Sequence, residues 1–293
     1  MTSRELPRPV LLAAASGLCL GLAVLADPLW WFALIGVAGV VEAAHRARSL
    51  RSAFAVGAAA WLIKSLLAVA WFWSTYPVDW IDLSLGWAEL PIIGFYWLLC
   101  GALLSAGGLL AGVGLYHLAC WRSWWPLLTL GPLVWLAAEL LAAVSFSVFL
   151  LGPGGSVNAS FSFGQLGYAL AAVRPLLLAL APLGGVFVLT LAGALGGLLL
   201  WRAARSLQPV IRIVGFALVL GLLWLGGSWH MPAASEPTLK VTVFAIDTRF
   251  DNQFRRQADH LIRRRAVLDE AVRAALAHDP GYVVMPEDSR FID

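Results

Sequence analysis

Charge is what this sequence has least of. Acidic and basic residues make up 13% of its 293 residues, apolar types make up 60%, and the mean hydropathy is +0.81. So few charges cannot cover a water-facing globule, so over most of its length the chain's solvent is lipid. Cysteine is scarce as well. Cys19, Cys100 and Cys120 fall in or beside apolar runs, and no two have zinc-ligand or redox spacing. They read as small packing residues. The five histidines are scattered, with no His-x-x-x-His or His-Glu-x-x-His, so no metal site is indicated. No segment repeats at a fixed period.

The charges that are present are unevenly placed. About half lie between Glu236 and Asp293, which sets one domain boundary. Residues 1–230 form a transmembrane helical domain, and 231–293 a polar domain. Seven apolar runs in the first part approach the length needed to cross about 30 Å of hydrocarbon. They cover about 9–26, 28–44, 52–75, 87–118, 126–151, 175–201 and 209–228. The first two are short and share Asp27-Pro28, so they read as a tight hairpin. The fourth is too long for one straight span, and Pro91 near its start suggests a kink or an interfacial lead-in.

Orientation follows from the basic residues of the short loops. With the N-terminus in the cytoplasm, Arg4, Arg8, Arg46, Arg48, Arg51, Arg122, Arg202, Arg205 and Arg212 fall inside, and Arg174 alone falls outside. An odd number of spans then delivers the polar domain to the far side of the membrane, the periplasm or the exterior of a single-membrane cell. Tryptophan supports this map. Trp30, Trp31, Trp73, Trp80, Trp87 and Trp229 cluster at one boundary, and Trp121, Trp124, Trp125 and Trp201 at the other. A cleaved signal peptide ending at Val24-Leu25-Ala26 is a competing reading of the first run, weakened by the apolar run that follows at once.

Charges inside spans mark places to look for function. Lys64 falls mid-span, Glu42 near the end of its run, and Glu139 deep in the fifth run within Trp135-Leu136-Ala137-Ala138-Glu139. A buried ion pair or a proton relay is one reading. A Lys64 that snorkels and a protonated, hydrogen-bonded Glu139 is the other. The stretch from Gly152 to Arg174 mixes Ser156, Asn158, Ser160, Ser162 and Gln165 with Phe161, Phe163 and Tyr168. Such a loop could admit a lipid headgroup or acyl chain.

In the polar domain, residues 240–246 read as a buried strand, apolar residues recur at helical spacing from Phe254 to Leu276, and Tyr282 to Met285 form a second strand. The order β-α-β makes the strands parallel neighbours. Arg263-Arg264-Arg265 reads as the solvated face of that helix and not as a nucleic-acid patch. Two strands and a helix bury too little apolar surface to stand alone, so the expectation is a chain cut short inside a larger α/β domain. The second strand runs into Pro286-Glu287, leaving a carboxylate just past its C-terminal end.

Seven spans followed by such a domain resemble the apolipoprotein N-acyltransferase family. Its members carry a nitrilase-like (carbon–nitrogen hydrolase) domain after the seventh span. Val283-Val284-Met285-Pro286-Glu287-Asp288 is similar to the family's first catalytic motif, with Met285 in place of Trp and Asp288 in place of a small hydroxyl residue. Trp135 and Glu139 are similar to its Trp-x-x-x-Glu, with Ala142 where Arg is usual. Gly167-Tyr168 and Trp71-Phe72-Trp73 also fit.

The resemblance implies an acyl transfer without cofactor or metal. An acyl chain would pass from a membrane phospholipid, through a Cys thioester, to the terminal amine of a diacylglyceryl-cysteine apolipoprotein in lipoprotein maturation. Glu287 would be the general base, and Glu139, Trp135 and Tyr168 substrate or structural residues. No Lys or Cys follows Glu287 in this chain. Two other functions stand beside this one. One is a non-catalytic membrane scaffold or a membrane-tethered amidase of the same fold, and the other is a small-solute transporter built on Glu139 and Lys64. The oligomeric state is left open.

Overall fold

The computed structural model describes residues 7–76, 86–121, 123–149, 163–206, 241–243 and 282–284, with isolated positions 151, 157, 266, 269, 270 and 273. The chain divides into two units, Met1–Thr75 with Pro91–His230, and Tyr76–Leu90 with Met231–Asp293. The described helices are α1 Pro7–Leu25, α2 Phe32–His45, α3 Leu50–Ala68, α4 Glu89–Leu104, α5 Ala106–Ala119, α6 Trp125–Phe149, α7 Leu166–Ala171 and α8 Arg174–Arg205.

Local chemistry sets several of their ends. Asp27-Pro28 opens a 3₁₀ turn, Asp27–Leu29, that separates α1 from α2. Ser49 is extended and its hydroxyl accepts from the Ser52 N–H at 3.3 Å, capping α3. A 3₁₀ stretch, Ala70–Thr75, extends the end of α3 through Trp71-Phe72-Trp73.

Six of these helices close a ring. α1 packs on α2 and α3, α3 on α5, α5 on α6, α6 on α8, and α8 on α2. Residue pairs give the directions. Gly17 lies on Ala60 and Gly21 on Leu67, so α1 and α3 run the same way. Gly36 lies on Leu20 and Gly39 on Ser16, so α2 runs back against α1. Gly197 on Val37, with Trp201 against His45, sets α8 parallel to α2. Lipid tails compete with apolar side chains, so such helices hold together by close backbone approach. The α3–α5 crossing shows this, with Gly57 seated between Gly108 and Gly112.

α4 stands outside the ring. The Trp97 indole donates to the Leu66 carbonyl at 2.8 Å, and Cys100 and Leu104 join Val69 and Phe146 in a small apolar cluster. Large apolar side chains such as Leu11, Phe95, Leu98 and Leu133 face outward, while Lys64, Glu139, Gln165 and Thr190 lie inside. That inverted distribution is what lipid as solvent requires. Among the described residues five helical stretches are long and apolar enough to cross a membrane: Arg8–Leu25, Leu50–Thr75, Gly86–Ala119, Trp125–Phe149 and Leu180–Arg205. Phe32–His45 is apolar but shorter. The expected run 209–228 lies outside the described residues.

Two expected spans prove broken. The run 87–118 is two helices, and the break lies at Ser105 rather than at Pro91. The Ser105 hydroxyl donates to the Ala102 carbonyl at 2.6 Å, whereas Pro91 sits in the first turn of α4, where no N–H is needed. α8 is interrupted at Gly184-Gly185, where Gly185 takes φ 61° and ψ −144°. That backbone region is essentially reserved for glycine. Gly185→Ala is therefore expected to cost about 1–3 kcal/mol although its site is open. Thermal unfolding in detergent measures it, and an unchanged Tm would show that the kink relaxes freely.

In the second unit, β1 Val241–Val243 and β2 Tyr282–Val284 pair in parallel, Val241 opposite Tyr282 and Val243 opposite Val284. Between them Ala266, Asp269, Glu270 and Arg273 are helical. Pro286 and Glu287 lie outside the described residues.

Candidate functional site

Trp135 and Glu139 are four residues apart on α6 and share one helix face, as Trp61, Lys64 and Ser65 do on α3. The ring turns these faces toward each other. Lys64 donates to Glu139 Oε1 at 3.1 Å, with 4% and 2% of the two residues exposed. The ammonium also lies 4.8 Å from the Trp61 ring centroid, and the Trp61 and Trp135 rings meet at 4.7 Å. Lys64 therefore does not snorkel. Its counter-charge is already beside it.

Three further donors converge on the same carboxylate. Oε1 accepts from the Trp135 indole at 3.1 Å and from the Leu166 N–H at 2.9 Å. Oε2 accepts from the Thr190 hydroxyl at 3.2 Å, and Thr190 in turn accepts from the Gly167 N–H at 3.0 Å. Leu166 and Gly167 open α7, where backbone N–H groups have no intrahelical acceptor. One carboxylate thus joins α3, α6, α7 and α8. Four donors therefore converge on this one carboxylate, three on Oε1 and one on Oε2. Buried ion pairs are tolerable when such bonds fill the remaining lone pairs.

Beside the pair lies a cavity of ≈ 10 Å³, lined among others by Lys64, Glu139, Ala142, Phe163 and Gln165. That is the scale of a single water. The Gln165 amide is buried, and among the described residues neither its oxygen nor its nitrogen has a partner. Phe163 packs against Phe146 and Trp71, at ring-centroid distances of 5.3 and 6.1 Å, which tucks the end of the 152–174 stretch into the ring.

Of the residues singled out from sequence, Trp135 and Glu139 therefore meet. Tyr168 is near them in the chain, but it is 47% exposed on α7 and its side chain stays outside the cluster. Glu287 lies outside the described residues. Of the two readings of the charges inside the spans, the buried ion pair is the one formed, between Lys64 and Glu139. Trp61 and Thr190 were missed, and Thr190 had left one trace: it is the sole polar residue in Gly185-Val186-Phe187-Val188-Leu189-Thr190-Leu191. Trp201, expected as a boundary anchor, is buried and donates to Glu42 at 2.7 Å.

Among the described residues, the Lys64 ammonium and the Thr190 hydroxyl are both bonded to Glu139. The cluster's chemistry is that of a fastening. Compared with known protein families and with curated proteins, the chain matches no family model and no curated sequence.

Proposed function

We propose that this chain is a membrane-embedded acyltransferase of the apolipoprotein N-acyltransferase type. The observation that carries the reading is a convergence. Trp135-x-x-x-Glu139 and the backbone at Gly167, joined in sequence only by the resemblance, are linked in space. Glu139 binds the Trp135 indole and the Leu166 N–H, and the Gly167 N–H reaches it through the Thr190 hydroxyl. The departure at Ala142 fits the same geometry. Ala142 lines the cavity, and the cation beside Glu139 comes from Lys64 instead of an arginine on α6. The transport alternative loses ground, since the two charges it rests on are bonded to each other.

In this reading the parallel strands β1 and β2 belong to a nitrilase-like domain. Glu287, three residues past Val284, then stands beyond a strand's C-terminal end, where α/β folds carry their functional groups. It takes the proton of a Cys thiol as the sulfur attacks the phospholipid ester carbonyl. It then gives that proton to the lysophospholipid oxygen as the ester C–O bond breaks and the lysophospholipid leaves. The resulting thioester passes its acyl group to the amine of a diacylglyceryl-cysteine, while a Lys holds the oxyanion. The arginine-rich end of the ring faces the cytoplasm, and the polar domain works outside it.

The test uses the whole protein with phospholipid and a diacylglyceryl-cysteinyl peptide, following acylated peptide by mass. Glu287→Gln is expected to lower turnover by about 10²–10⁴-fold, the usual contribution of a general base. Acyl transfer undiminished in that variant, or absent from the parent protein, sinks the proposal.

A further inference from the structure

The ring has a second polar cluster, at the end where α2 and α8 finish. Glu42, on α2, accepts from the Trp201 indole at 2.7 Å, which fixes its carboxylate. That carboxylate holds Arg46 Nε at 2.7 Å and Arg205 Nη1 at 2.9 Å. The Arg205 guanidinium also lies 5.5 Å from the Trp201 ring. Two guanidinium groups are thus pinned around one acid. Each spends only part of its five-donor fork on Glu42, and the side chains stay 62% and 42% exposed. Arg202 sits one turn from Arg205, its guanidinium 5.4 Å from the Trp124 ring. Among the described residues no carboxylate pairs with it.

One acid against three guanidinium groups leaves an excess of positive charge with N–H groups directed outward. We propose that this end of the ring is a binding site for lipid headgroups bearing phosphate. A guanidinium fork matches two phosphate oxygens, and pinning by Glu42 removes part of the ordering cost of binding. Lipid, rather than a dissolved anion, is the occupant because the cluster lies at the tips of apolar helices beside the half-exposed Trp124 and Trp125, the setting indoles prefer at a headgroup layer. Charge then selects among lipids. Phosphatidylcholine brings its own cation, so a headgroup with net negative charge binds better.

The experiment uses the whole protein in a neutral detergent, titrated separately with phosphatidic acid, phosphatidylcholine and inorganic phosphate. Bound lipid is counted by native mass spectrometry, and Tm is followed in parallel. Phosphatidic acid is expected to bind and raise Tm, and the other two to do so far less. Arg46→Gln and Arg202→Gln, both at exposed side chains, are each expected to weaken phosphatidic acid binding by roughly fivefold. Equal binding of phosphatidylcholine, or unchanged affinity in both variants, overturns the proposal. An equal Tm rise with inorganic phosphate overturns the choice of lipid.

Discussion

Replacing Glu139 with Ala is expected to destabilise the protein by about 3–5 kcal/mol, the cost of leaving one member of a buried ion pair without its partner. The loss reaches beyond Lys64. The Trp135 indole, the Leu166 N–H and the Thr190 hydroxyl all lose their acceptor inside the ring. Glu139→Gln should recover little, because its amide NH₂ would face donors. The paired replacement Glu139→Leu with Lys64→Met removes both charges and should fall well short of the single loss, since apolar substitutes of similar volume often match a buried pair. Thermal unfolding in detergent of Glu139→Leu, Lys64→Met and the double variant forms the cycle, with Glu139→Ala measured beside them. Glu139→Ala unfolding within 1 kcal/mol of the parent (about 1 kcal/mol being a common single-substitution effect) would mean the pair is not formed.

Gly57→Val is expected to break the α3–α5 seam. A Cβ on Gly57 would land on the carbonyl oxygen of Gly108, and one on Gly107 would land on the carbonyl oxygen of Ala138. Backbone faces backbone at both seams of α5, so no flexible side chain can swing away. Overpacking of ordinary cores costs about 1–3 kcal/mol, and this seam lies at or above the top of that range. Separating α3 from α5 would also pull Lys64 from Glu139. Loss of a monodisperse peak in size-exclusion chromatography is the expected readout. Gly94→Ala is the contrast: its nearest neighbour, a Trp73 ring carbon, lies at an ordinary 3.6 Å, so the variant should elute as the parent does.

Hydropathy made the spans legible, since α1, α2, α3 and α6 begin and end within a few residues of the apolar runs that predict them. It could not show their breaks. The length of the run 87–118 ruled out one straight span, but the run stays apolar through Ser105, so composition did not place the break there. At Gly184-Gly185 the mark was present, and continuous hydrophobicity outweighed it. α7 was hidden because six residues are too few to show a helical period. For the site, sequence offered the charges and an ion pair as one reading, but not which acid Lys64 meets. Glu42 with Arg46 is a four-residue spacing that can be read on one helix. Lys64 and Glu139 are 75 residues apart, and only the ring order brings them together. Tyr168 was singled out by position in a motif, whereas backbone N–H groups just before it make the contacts, and no side-chain pattern announces a backbone donor.

That separation of 75 residues also has a consequence for biosynthesis. A ribosome adding roughly 5–20 residues each second makes Lys64 several seconds before Glu139 exists. Through that interval α3 carries a cation with no acid to meet it, and α5, which packs against both α3 and α6, is made between the two. The third helix is therefore a provisional resident of the bilayer, and it is the emergence of the sixth that makes its insertion permanent.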